Sequence, residues 1–221
     1  MRITPAEVTA LSLSIKVALL SVVIMFPPGL WVGWLLAKRT FPGKTFLNTL
    51  VMCPLVLPPI VSGYLLLILL GKHGIIGGFI YQTFGIEIVF SQWAVIIAVS
   101  IISFPLLVRG IVTGMESVPL ELENAARTLG ASPFKVFWTI TFPLAYRGVI
   151  GGTILGFSKS LGEFGATIMV AGNIPGKTQT MALAIFSAVH LGEDASVYRL
   201  VLISTIVAFI ALWLTERFTL R

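Results

Sequence analysis

Apolar positions run in long blocks along the chain, and polar ones gather between them. Five blocks reach the roughly 20 residues that a helix needs to cross the hydrocarbon of a bilayer, at about 8–37, 47–70, 93–114, 146–170 and 197–218. The connecting segments fall at 38–46, 71–92, 115–145 and 171–196, and none is large enough to fold alone. The pattern predicts one all-α integral membrane domain over 1–221, a polytopic bundle of about five transmembrane helices. The first block follows only seven residues and ends without a small-x-small cleavage site. It is too long for the apolar core of a signal peptide and is expected to be a retained span.

Prolines are expected to break several spans. Pro27-Pro28 interrupts the first and Pro105 the third, while Pro54, Pro58 and Pro59 cluster in the second. A proline frees a carbonyl that lipid cannot satisfy, so a break must face protein or a wet cavity. A simple kink is the alternative at each proline taken alone. The cluster points instead to a pathway-lining segment around Pro58 and Pro59. The fourth block carries Gly148, Gly152, Gly156 and Ser160 at four-residue spacing, a small-residue stripe for close helix packing. It suits a seam with a second copy or packing within the chain. No internal repeat of the secondary-transporter kind is visible.

The segment 115–145 has its own pattern. After Pro119, the residues Leu122, Ala125, Ala126 and Leu129 recur at helical spacing, and Gly130 stands where a helix C-cap belongs. Ser132-Pro133 restarts a helix as N-cap and first turn. Phe134, Phe137, Trp138 and Thr141 share its next face, and Pro143 is expected to end it. The result is two short amphipathic helices joined by a glycine elbow. They would either lie on lipid headgroups or dock into a cleft of a soluble partner.

Composition and charge narrow the classes. Of 221 residues, 57% are hydrophobic and only 11% charged, against about 25% charged in soluble domains. A soluble enzyme, a nucleic-acid-binding domain and a disordered chain are all excluded on that ground. The net charge of +6 sits on cations scattered singly between apolar runs. Lys38, Arg39, Lys44, Arg109, Arg127, Lys135, Arg147, Arg217 and Arg221 fall on one side of the membrane. Arg2, Lys72, Lys177 and Arg199 fall on the other. Nine against four places the N-terminus outside and the C-terminus in the cytoplasm, with 115–145 inside. Trp31 and Trp34 then sit at the inner interface. Cys53 has no intrachain partner and is expected to be a buried small apolar residue. His73 and His190 lack metal-ligand spacing, and no G-x-S-x-G or H-E-x-x-H motif occurs, so no catalytic or metal site is expected.

Two stretches carry a family resemblance. Asn124-Ala125-Ala126, three residues, Gly130, nine residues, then Ile140-Thr-Phe-Pro143 resembles the EAA loop of ABC importer permeases, E-A-A, G, I-x-L-P. Asn124 stands where that family has Glu, with Glu123 just before it, and Phe142 stands for Leu. A salt bridge made by the family Glu is therefore in doubt here. Ser160-Leu-Gly-Glu-Phe-Gly-Ala-Thr167 and Ala171-Gly-Asn-Ile-Pro-Gly-Lys-Thr-Gln-Thr180 resemble the molybdate transport permeases, with sulfate permeases sharing much of the first. The proline-rich second span and Phe41-Pro42-Gly43 fit as well. The resemblance implies a type I importer permease in the cell membrane that works as a homodimer. It also implies two ATP-binding subunits using ATP and magnesium, and an external molybdate-binding protein. Glu123, Asn124, Ala125, Ala126, Gly130, Ile140 and Pro143 would form the ATPase-coupling loop. This chain would bind no cofactor of its own.

Lys159 and Glu163, four apart near the middle of the fourth span, share a helix face and can pair. Charges at that depth cost at least ~2.5–3.5 kcal/mol each. A structural ion pair competes with a pathway or gate role, for which Pro58, Pro59, Ser158, Lys159, Ser160 and Glu163 are the candidates. Gly172-Asn-Ile-Pro-Gly-Lys-Thr178 mimics a phosphate-binding loop, but only three residues separate its glycines where four are needed. Hydrolysis must then reside elsewhere. An oxyanion importer permease, for molybdate, tungstate or sulfate, is the leading function. An ATP-independent channel or carrier and a membrane-embedded enzyme are the rivals, and neither has a use for the loop.

Overall fold

The computed structural model describes residues 4–219. Arg2 and Arg221, counted in the charge balance, lie outside them. Every regular element among the described residues is helical. In order these are α1 (Pro5–Lys38), α2 (Lys44–Val56), α3 (Pro59–Leu70), α4 (Ile75–Phe84), α5 (Gln92–Glu116), α6 (Leu120–Thr128) and α7 (Pro133–Val136). A π-helical turn (Phe137–Thr141) leads into α8 (Phe142–Leu161), followed by α9 (Gly165–Ala171), α10 (Met181–Leu191) and α11 (Asp194–Thr219).

Five helical stretches are long and apolar enough to cross a membrane: Pro5–Lys38, Pro59–Phe84, Gln92–Glu116, Pro133–Leu161 and Asp194–Leu214. The number agrees with the hydropathy pattern, but the second and fourth spans are built differently. The block at 47–70 is two helices, α2 and α3, parted at Leu57-Pro58. The block at 146–170 is α8 and α9, parted at Gly162–Phe164. The segments 71–92 and 171–196, read as connections, each contain a helix, α4 and α10.

The expected breaks at Pro27-Pro28 and Pro105 do not occur, because α1 and α5 run through them unbroken. The reason is tertiary. On both sides of its prolines α1 stays against α5: the Ser21 hydroxyl donates to the carbonyl of Ile96, and Gly33 lies against Ile111. These pairings make α1 and α5 run in the same direction. Helix α5 is the most deeply buried span and separates two cores. One gathers Val95, Val99 and Ile102 with α3 and α9; the other gathers Leu107, Ile111 and Met115 with α1 and α8.

Helix α8 runs antiparallel to α5 along the glycine stripe, which is therefore packing within the chain. A Cβ on Gly110 would lie 2.7 Å from the amide nitrogen of Gly152, and one on Gly114 would lie 2.7 Å from the Cα of Gly148. Further along the stripe, the Ser160 hydroxyl donates to that of Ser103 at 3.0 Å. Cys53 is exposed rather than buried, since Val51 is the one buried residue of α2 among the described residues.

Candidate functional site

The α6–α7 element forms as its residues dictate. Helix α6 closes in a Schellman cap: the Ala131 amide donates to Ala126 O at 3.0 Å and the Gly130 amide to Arg127 O at 2.9 Å. Gly130 adopts φ +85°, and its Cβ position is open. Ser132 caps α7 through the Lys135 amide, with Pro133 in the first turn. Pro143 does not end this helix. The chain passes through the π-helical turn directly into α8, and that wider turn absorbs the missing donor and the bulk of the proline ring.

The loop is fastened from beneath by Glu123. Its side chain is 3% exposed, lies 3.0 Å from Lys38 Nζ and accepts from the Thr141 hydroxyl at 2.8 Å. Lys38, equally buried, also donates to the carbonyl of Val118 at 2.9 Å. Arg127 approaches the same carboxylate from the solvent side at 3.8 Å. One buried pair thus ties the end of α1 to α6 and to the π-helical turn. Asn124 and Ala125 are exposed, Ala126 and Ile140 half-buried, and Leu122 and Leu129 are exposed apolar side chains. The sequence marked Glu123 as one residue of the loop, beside the Asn124 position, but not as its anchor. Lys38 and Thr141 carried no local signal, since their role arises only when distant segments meet.

Substituting Gly130 tests the elbow. Gly130→Val puts a β-branched residue at positive φ, where the open space around the Cβ offers no relief. The variant is expected to keep its membrane insertion and to lose most substrate stimulation of ATP hydrolysis in an assembled transporter. Full stimulation in a well-expressed variant would show that the elbow takes no part in coupling.

The second candidate region lies where the two helix breaks meet. A Cβ on Gly165 would fall 2.8 Å from the Cβ of Pro59, and one on Gly63 would fall 2.7 Å from the Cα of Ala166. The half-helices α3 and α9 therefore start side by side and run in the same direction. Lys159 Nζ, at the end of α8, lies 2.8 Å from Glu163 Oε2. The other oxygen of Glu163 accepts from the Ala166 amide at 3.1 Å and so caps the start of α9. Glu163 is 1% exposed and Lys159 30% exposed, so the carboxylate is fully used inside the protein while the ammonium keeps an open side.

Pro58 and Pro59 are exposed at this junction. Ser158 lines a cavity of ≈ 270 Å³ together with Ser14, Gly162, Met181 and Ser204. Ser160 faces the other way, buried against α5, with its hydroxyl used by Ser103 and Gly156. The structure thus gathers Pro59, Lys159 and Glu163 and sets Ser160 apart.

If Lys159 and Glu163 serve structure alone, neutralising Lys159 by itself is expected to be worse than neutralising both, because the buried Glu163 carboxylate is left unpaired. A Lys159→Met/Glu163→Leu double variant that folds yet transports abnormally assigns the pair to the path. Wild-type uptake by the double removes it.

The phosphate-loop mimic is a self-contained turn. The amides of Lys177, Thr178 and Gln179 all point at the carbonyl of Ile174, at 3.1, 2.9 and 3.1 Å. The buried Thr178 hydroxyl accepts from the Ile174 amide at 3.0 Å. Those groups are not free to cradle a phosphate. Also missing from the sequence reading is the pair of Arg199 with Glu7, in which Nη2 and Nε donate to Oε1 at 2.8 and 3.0 Å and Nε also to Oε2 at 3.3 Å, joining the starts of α11 and α1.

Comparison with known proteins gives the family and the fold. Residues 29–221 match the family described as binding-protein-dependent transport system inner membrane component. The chain is 46% identical to the molybdenum transport system permease protein ModB of Escherichia coli (strain K12), over 98% of this chain and 95% of that protein. It is 32% identical to the sulfate transport system permease protein CysW of Synechocystis sp., over 94% of this chain and 75% of that one. Among solved structures, an inward-facing MetNI methionine ABC transporter superposes with a TM-score of 0.75 at 16% identity, covering 97% of this chain and 94% of the other. The fold is that of a type I ABC importer permease.

Proposed function

Since the chain belongs to the binding-protein-dependent transport system inner membrane component family, we propose that it is the permease subunit of an ATP-driven importer of molybdate, and of the similarly shaped tungstate. The observation that carries this is the near full-length likeness to a molybdenum permease at 46% identity, above the likeness to two sulfate permeases at 32% and, over a shorter stretch, 38%. The chain itself is a transport subunit. ATP and magnesium are used by two partner ATPases, and an external binding protein delivers the oxyanion.

The coupling surface is the exposed side of α6, with Leu122, Ala125 and Leu129 offered to the ATPase and Glu123 holding the element in place. Residues Asn124, Ala126, Gly130, Ile140 and Pro143 shape it. A second copy of the chain closes the path, since one five-span subunit does not enclose a gated pore and α2 and α3 leave large apolar side chains uncovered. At the junction of the broken spans, Lys159 attracts the dianion while Glu163 prevents tight retention, as release requires. Pro58, Pro59 and Ser158 line the approach. Ser160 contributes by holding α8 on α5.

The deciding experiment measures uptake into vesicles holding the permease, its ATPase and its binding protein, with molybdate, tungstate or sulfate supplied alone. ATP-dependent molybdate uptake is expected. Sulfate uptake without molybdate uptake would move the chain to the sulfate branch, and uptake without ATP would reject the importer reading. The orientation, with the N-terminus outside and the C-terminus in the cytoplasm, has its own check. Single cysteines at Gly74 and Thr128, in a Cys53→Ser background, are expected to label from opposite sides of the membrane.

A further inference from the structure

Beside the coupling loop an apolar groove of ≈ 320 Å³ opens on the outer surface of the bundle. One wall is the last part of α1, with Pro27, Trp31 and Trp34; the other is α7 and the π-helical turn, with Phe134 and Trp138. Trp31 is 62% exposed and Phe134 74% exposed, so the walls are open to their surroundings. From Trp34 to Pro27 the groove follows α1 for about 10 Å, at 1.5 Å per residue. It therefore runs along the span axis, from the loop end toward the membrane interior.

The ends of the groove differ in polarity. Its deep end is Pro27 and Leu30. At its loop end the Arg39 guanidinium stands 5.0 Å above the Trp34 ring. Lys135 is exposed on the same turn of α7 as Phe134. Neither cation makes an ion pair with another described residue, whereas the neighbouring Lys38 is consumed by Glu123. No carboxylate lines the groove. An apolar channel along the span, ending in aromatic rings and unpaired cations at the interface, has the polarity of an anionic phospholipid lying in the leaflet.

We infer that this groove is a selective site for an anionic phospholipid, with one acyl chain between α1 and α7 and the phosphate on Arg39, assisted by Lys135. The site borders the coupling element through Phe137, whose ring meets Trp34 edge-on at 6.0 Å. Bound lipid thereby stiffens the wall from which α6 is presented. The inference concerns lipid recognition and stands whatever oxyanion is carried.

The groove tryptophans serve as reporters. In the full chain carrying Trp93→Phe and Trp213→Phe, the remaining tryptophans, Trp31, Trp34 and Trp138, all line the groove. The protein is reconstituted in phosphatidylcholine vesicles containing a graded fraction of acyl-brominated lipid, either phosphatidylglycerol or phosphatidylcholine. Half-maximal quenching is expected at about a fivefold lower fraction of the brominated anionic lipid, the preference that one interfacial cation confers. Arg39→Gln/Lys135→Gln is expected to abolish that preference, and Arg39→Lys to retain most of it. Equal quenching by both lipids would mean a non-selective annulus and overturn the inference. Quenching by neither would mean that protein covers the groove, with the same consequence. A preference that survives in the double glutamine variant would place the headgroup elsewhere and also overturn it.

Discussion

Replacing Glu123 by leucine is expected to release the coupling loop and to destabilise the subunit by about 3–5 kcal/mol, the cost of leaving a buried charge unpaired. The charge left behind is Lys38, 5% exposed, whose remaining contact is the carbonyl of Val118. Thr141 also loses its acceptor, though its hydroxyl can turn to a carbonyl of its own helix. The double variant Lys38→Met/Glu123→Leu removes both charges and is expected to melt close to the parent. The two effects separate in the assay. Thermal melting of the purified subunit reports the buried charge, and substrate-stimulated ATP hydrolysis in the assembled transporter reports the position of α6. If the double variant melts normally yet shows weak stimulation, the pair positions the loop. A Glu123→Leu single variant that melts like the parent would contradict the anchor outright.

An equally large effect is expected where α5 and α8 touch through their glycines. Valine at Gly110 or Gly114 drives a side chain into backbone, 2.7 Å from the amide of Gly152 or from the Cα of Gly148. Backbone cannot yield as the tip of a flexible side chain can, so the helices must separate. The cost is expected to reach about 3 kcal/mol or more. Loss of the folded fraction on size exclusion and a lowered melting temperature measure it. Gly162→Ala is the control. Its Cβ meets nothing within 4 Å and its φ is −93°, so its stability is expected to stay within about 0.5 kcal/mol of the parent. Parent-like melting of Gly114→Val would show that the helices do not approach this closely.

Much of this molecule is legible along the chain because the causes are local. Membrane spans follow from mean hydropathy, since a helix in lipid needs only its own backbone bonds and an apolar surface. The elbow at Gly130 and the cap at Ser132 were readable for the same reason: each concerns the backbone of a few consecutive residues. Lys159 and Glu163 stand four apart, so spacing alone pointed to their pairing, which forms although Glu163 lies just past the end of α8.

What could not be read depends on segments that meet only in three dimensions. Pro27-Pro28 and Pro58-Pro59 look alike in sequence, yet only the second pair marks a break, because α1 stays packed on α5 past its prolines while α3 turns to run beside α9. The glycine stripe announced a close approach but not its partner, which is α5. Glu123 was one loop residue among several until Lys38 and Thr141 came up beneath it. Sequence by itself determined the number of apolar spans and the elbow at Gly130, because hydration and backbone sterics act within a few residues. Tertiary structure decided which breaks open, which glycines touch and which charge is buried, because those energies exist only between surfaces that folding brings together.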